Sequence, residues 1–151
     1  MSPIDRHAVT FCCAALLCSA CATVEAPAPE GFAGLEESDP IQAVTPDALI
    51  YRVRQARNEP RADLAFWRKA LRQRMEEAGY LFVAEDDLKA AGVPGYLLEL
   101  AAPLGEKDFG YLVAVFVRGE DLTLVEAAGE VSRLRRRRGE IVKAIKRIRW
   151  K

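Results

Sequence analysis

The chain has 151 residues, 22 Lys and Arg against 22 Asp and Glu, four Cys and one His, and 50 % of it is hydrophobic. A chain of this length supports one domain of ordinary size with a real core. All four cysteines (Cys12, Cys13, Cys18, Cys21) and the histidine (His7) fall in the first twenty-one residues. Beyond that point there is no thiol pair for a disulfide and no imidazole to serve as general base, which removes Ser/His/Asp and Cys/His catalysis. A zinc site of the usual His/Cys kind is removed with them.

Residues 1–20 read as an export signal. Arg6 and the α-amine make a weakly positive start, and the uninterrupted run from Ala8 to Ala20 follows. That run is long enough for a signal-peptide core and short of the ~20 residues a spanning helix needs. Its end, Ser19-Ala20-Cys21, resembles the lipobox of bacterial lipoproteins, although Cys18 stands where leucine is usual. The resemblance implies that Cys21 becomes the acylated first residue of the mature chain, anchored to a membrane in the cell envelope. Ala22 follows the cysteine in place of the Asp that often retains such proteins at an inner membrane, so the expected site is the outer membrane, facing the periplasm. Two alternatives stand beside this: an Ala-x-Ala cleavage at Ala20-Cys21-Ala22, which releases a secreted soluble protein, and an apolar N-terminal helix packed into the fold.

Residues 21–46 are expected to form a lipidated cysteine and a tether. The segment holds Pro27, Pro29, Pro40 and Pro46, five acids and no basic residue; proline and like charge favour an extended, solvated chain. The other reading is an arm lying on the domain through Phe32, Leu35 and Ile41. The folded domain is expected over 47–151. Leu49, Tyr51 and Val53 alternate with Ile50, Arg52 and Arg54 as in a half-buried strand. Pro60 is placed to open a helix near 61–78, in which Leu64, Trp67, Leu71, Met75 and Ala78 fall at helical spacing, and Gly79 stops it. A strand over 80–84 follows, then a short helical turn capped by Glu85-Asp86-Asp87 and ending at Gly92. Strands at 95–101, 110–118 and 121–127 make an antiparallel meander, with Gly119 in the last reversal. Tyr111 to Val117 has no polar residue on either face, so both faces need cover; the first helix and a C-terminal helix near 131–149 provide it. The expected fold is α+β: a three-layer α/β/α sandwich with a mainly antiparallel sheet of about five strands and one helix on each face.

The element order, with Glu77-Ala-Gly-Tyr80, the apolar strand 111–117 and Leu124-Val-Glu-Ala-Ala-Gly129 leading into the last helix, resembles the PsbP/Mog1-like group across residues 48–150. The resemblance implies the fold and a non-catalytic binding or assembly role. It carries over no ligand residue.

Two groups of charged residues remain. Glu85-Asp86-Asp87 and Glu126 are the carboxylates available for Ca²⁺ binding or for acid/base work on a glycan. Against that, acids favour a helix start, the triplet lacks the spaced ligands of a calcium loop, and Glu126 is expected to face outward or meet an arginine. The second group is basic: ten of the last nineteen residues are Lys or Arg. Arg133, Arg135, Arg136, Arg137, Arg138 and Lys143 are the candidate contacts for anionic lipid or an acidic envelope protein, since guanidinium groups bind phosphate and carboxylate bidentately; a solvated helix face is the plain alternative. One aromatic, Trp150, accompanies the run, so base stacking has little support and nucleic acid is not an expected partner. No cofactor or metal is expected. The functional expectation is a lipid-anchored, non-enzymatic envelope binding module. Alternatives are a carboxylate glycan hydrolase, a soluble secreted binding protein and a purely structural lipoprotein.

Overall fold

The computed structural model describes residues 23–35, 41–104 and 107–151. The expected signal and Cys21 lie outside them. The described chain runs β1 (Val24–Glu25), β2 (Ala33–Leu35), β3 (Ile41–Val44), β4 (Ile50–Arg57), α1 (Leu64–Glu77), β5 (Leu81–Ala90), β6 (Val93–Leu104), β7 (Lys107–Arg118), β8 (Asp121–Glu130), α2 (Val131–Lys146) and β9 (Arg149–Trp150). Seven strands form one sheet in the order β2-β3-β4-β8-β7-β6-β5, and every neighbouring pair is antiparallel.

Strand β7 shows why the sheet carries a helix on each side. Successive side chains of a strand point to opposite faces. Leu112, Ala114 and Phe116 enter one core with Leu97, Val125 and Ala127 of their neighbours and with Leu134, Ile141 and Ile145 of α2. Val113 enters a second, smaller core with Tyr96, Leu98 and Leu100, against which Leu64, Leu71 and Met75 of α1 pack. The two helices are not equivalent. α2 has four buried residues, whereas α1 has none. α1 packs mainly over β5, β6 and β7, and on its side of the sheet Ile50, Arg52 and Arg54 of β4 stay open to solvent.

Capping follows side-chain chemistry. Asp63 is the N-cap of α1, its Oδ1 accepting from the Phe66 amide at 2.8 Å, as short acidic side chains do at helix starts. The buried Asn58 ties that start to the β7–β8 hairpin. Its Oδ1 accepts from Trp67 Nε1 at 2.7 Å, and its Nδ2 donates to the Ala62 and Gly119 carbonyls, each at 2.9 Å.

Several expectations are corrected. The sheet has seven strands rather than about five, because residues from the segment expected as a tether join it: β2 pairs with β3, and β3 with β4. Phe32 packs edge-on to Tyr51 at 6.3 Å, so apolar residues among the prolines draw the arm onto the core. Residues 36–40 of that segment lie outside the described residues. Glu85-Asp86-Asp87 do not cap a helical turn; β5 runs straight through them. Alternation explains this, because Glu85 and Asp87 face α1, where Arg68 pairs with both, and Asp86 faces α2, where Arg138 pairs with it. α2 ends at Lys146 instead of near 149: Ile148 is buried, and the chain reverses into β9, which pairs with β1.

Candidate functional site

α2 is held by its inner residues, Leu134, Ile141, Ala144 and Ile145, and this fixes which of its cations face inward. Arg133 donates from Nη1 to the Asp47 carbonyl at 2.6 Å and pairs with Glu130 at 3.1 Å. Arg138 donates from Nε to Glu99 at 2.6 Å, and its Nη2 lies 2.5 Å from carboxylate oxygens of both Glu99 and Asp86. The Glu99 hydrogen bond, ahead of the nearby charges, raises the Arg138 pKa. Arg137 is half-buried over Gly31, where an added Cβ would come within 2.8 Å of its Nη1.

The other three candidates differ. Arg135, Arg136 and Lys143 are exposed and form no ion pair among the described residues. Gly139, Lys146 and Arg147 continue the same exposed face. The six residues singled out by composition therefore divide into two that pair with the domain's own groups, one that lies half-buried over Gly31, and three that face solvent.

Beside Arg135 a cleft of about 90 Å³ opens between α2 and the sheet, lined by Val83, Ala101, Leu112 and Leu134 with Arg135 and Arg138. Gly110 lies close under α2, where an added Cβ would meet Leu134 Cδ2 at 2.7 Å and push that side chain aside. Leu81 and Val83, on the edge strand β5, are 61 % and 52 % exposed. The sequence places both in a strand over 80–84 without giving that strand's position in the sheet. The signal it lacked was the strand order, which leaves β5 with one neighbour and a register irregularity between Phe82 and Ala84.

The carboxylate candidates do not converge. Glu85, Leu98, Val113 and Glu126 form one row across four strands, so three strand spacings, ~14 Å, separate the two acids. The row between them is buried beneath α1. Retaining glycosidases hold their carboxyl groups ~5 Å apart and inverting ones ~6.5–9.5 Å. Each acid is also taken by arginine and tyrosine. Glu85 accepts from Arg68 at 2.7 Å and from the Tyr96 hydroxyl at 2.8 Å; the Arg68 hydrogen bond leads in lowering its pKa. Glu126, with 9 % of its side chain exposed, pairs with Arg52 at 2.9 Å and Arg54 at 3.0 Å and accepts from the Tyr111 hydroxyl at 2.5 Å. Burial pushes the Glu126 pKa up, but the Tyr111 and Arg54 hydrogen bonds and the two guanidinium charges together hold it below the ordinary carboxylate value. A general acid for glycan cleavage needs the opposite shift. Among the described residues no cluster of three His, Cys, Asp or Glu is placed to hold a metal, and no helix is long and apolar enough to cross a membrane.

No protein-family model matches the chain, and a search of curated proteins finds no relative. Solved structures do match. The chain is similar to LpqN of Mycobacterium tuberculosis, described as involved in cell envelope biogenesis, with a TM-score of 0.65 and 13 % identity over 86 % of this chain and 84 % of that one. It is similar to a protein of unknown function from Pseudomonas aeruginosa, with a TM-score of 0.59 and 12 % identity over 83 % and 81 %. It is similar to the cyanobacterial PsbP of Synechocystis sp. PCC 6803, with a TM-score of 0.59 and 11 % identity over 85 % and 86 %. Identities this low speak to architecture alone, and the architecture is an α+β, PsbP-like fold.

Proposed function

We propose that this chain is a lipid-anchored cell-envelope protein whose domain is a non-enzymatic binding or assembly module, and that it meets an acidic protein partner through the outer face of α2. The observation that carries the reading is the division within the arginine run. Arg133 and Arg138 are matched by the domain's own acids, whereas Arg135 and Arg136 sit side by side with no acidic partner among the described residues. Adjacent uncompensated cations repel one another and add nothing to the fold. An acidic surface supplies the missing charge, and the apolar cleft with Leu81 and Val83 gives a partner something to bury beside it. The export signal and Ser19-Ala20-Cys21 support the envelope address, and the likeness to an envelope-biogenesis protein agrees with it.

Crosslinking in intact cells tests the reading. One dominant neighbour should be captured, and R135E/R136E should lower its yield about tenfold or more while the far-ultraviolet circular dichroism stays that of the parent. An unchanged yield would sink the proposal.

A further inference from the structure

We infer that the end of the domain built from β1, β9 and the last turn of α2 is its membrane-facing end, where Arg147 and Arg149 meet the phosphates of anionic phospholipid headgroups. This rests on the reading that Cys21 carries lipid and adds to it an orientation and a headgroup seat.

The geometry begins at the first described residue. The Thr23 carbonyl accepts from the Lys151 amide at 2.9 Å. Val24 pairs with Trp150 and Glu25 with Arg149, and Glu25 also forms an ion pair with Lys151. Val24, Ala26 and Trp150 pack against the main core, and Trp150 donates from Nε1 to the hydroxyl of Thr123 on β8 at 2.8 Å. Thr23, held in this way, lies two residues after Cys21, a span of at most ~7 Å even when fully extended. An acyl anchor on Cys21 cannot hold the domain at a distance; it brings this end against the headgroups.

The charges at this end suit that position. Lys146, Arg147 and Arg149 are exposed, and among the described residues none of the three takes part in an ion pair. Arg118 joins them, its guanidinium 5.6 Å from the centre of the Trp150 ring. Between β1 and the end of α2 lies an open groove of about 580 Å³ lined by Val24, Glu25, Ala26, Pro27, Arg147 and Arg149. Two guanidinium groups on one wall form a seat for a phosphate, which arginine binds in bidentate fashion. The first turn of α2 lies far from this end. Ser132 precedes Lys146 by fourteen residues, ~21 Å along a helix, beyond the ~8 Å over which physiological salt screens a charged surface. The two ends of α2 would then serve different partners, lipid at the C-terminal end and protein toward the N-terminal one.

The test uses the full chain, expressed with its own signal, extracted from membranes and reconstituted into mixed phosphatidylglycerol–phosphatidylcholine vesicles. Single-cysteine variants R149C, R118C and S132C carry a fluorophore, and a headgroup-spin-labelled phosphatidylcholine quenches it. Quenching should be severalfold stronger at R149C and R118C than at S132C, and R147E/R149E should weaken it at R118C toward the value in pure phosphatidylcholine vesicles. Intact mass separates the two readings. An unacylated chain, or one beginning at Thr23, overturns both. An acylated chain quenched equally at R149C and S132C overturns the orientation alone, and no effect of R147E/R149E overturns the headgroup seat.

Discussion

Both sides of the sheet hold closed arginine groups, and α1 also leaves Arg74 exposed and outside any ion pair among the described residues, but α2 alone leaves two adjacent arginines open. On the α1 side, Arg52 and Arg54 close on Glu126, and Arg68 and Arg72 close on Glu85, with Tyr111 and Tyr96 completing each group. On the α2 side, Arg133 and Arg138 are closed in the same manner, yet Arg135, Arg136 and Lys143 are left open. Closed groups satisfy each other and make folded structure; open cations on a well-buried helix are available to something outside. Chain position does not tell the two kinds apart, and neither does residue type.

The helices differ in how much core they hold, and substitution should show it. Ile145→Ala removes a fully buried side chain of α2 and should cost ~2–5 kcal/mol in chemical denaturation. Leu71→Ala, on a helix with no buried residue, should cost less than half as much; equal costs would erase the distinction between the helices. Next comes the closed group on Glu126. Glu126→Gln should cost ~2 kcal/mol at neutral pH, a figure held down by the partial exposure of Arg52 and Arg54. Because the folded pKa is lowered, the carboxylate's contribution is present above the unfolded value of ~4.3 and is lost as pH falls through the folded value. The stability gap between parent and variant should therefore narrow below about pH 4, and a gap that widens there would contradict the assignment.

Smaller effects sharpen the contrast between closed and open arginines. Arg138→Ala should cost ~1 kcal/mol, whereas Arg136→Ala should fall within ~0.5 kcal/mol of the parent. Smallest is Tyr51→Phe. The buried Tyr51 hydroxyl has no hydrogen-bond partner among the described residues, so its removal should be neutral or slightly stabilising. A clear loss of stability would mean that the hydroxyl is satisfied after all.

Much of the fold was legible because core burial writes itself as periodicity. Alternation at Leu49, Tyr51 and Val53 and the two-sided apolar strand β7 required layers on both faces, and both layers are there. The β2–β3 hairpin was hidden because proline and acid content speaks about local chain preference, whereas pairing with β4 is a tertiary effect. Glu85-Asp86-Asp87 failed for the same reason: acids at a helix start and acids alternating between two arginine-bearing helices look identical in one dimension. The arginine run was visible, but its division was not, since that depends on acids from β5, β6 and the end of β8. The proposed orientation on a membrane was equally hidden, because it rests on the pairing of β1 with β9.

Site-specific photocrosslinking in living cells tests the division most directly. A photoreactive residue replacing Arg136, on the open face of α2, should capture one dominant neighbour with an acidic surface, and the same residue replacing the exposed Lys69 of α1 should capture little. Equal or diffuse capture from the two positions would contradict the claim that the open arginines of α2 are the docking surface.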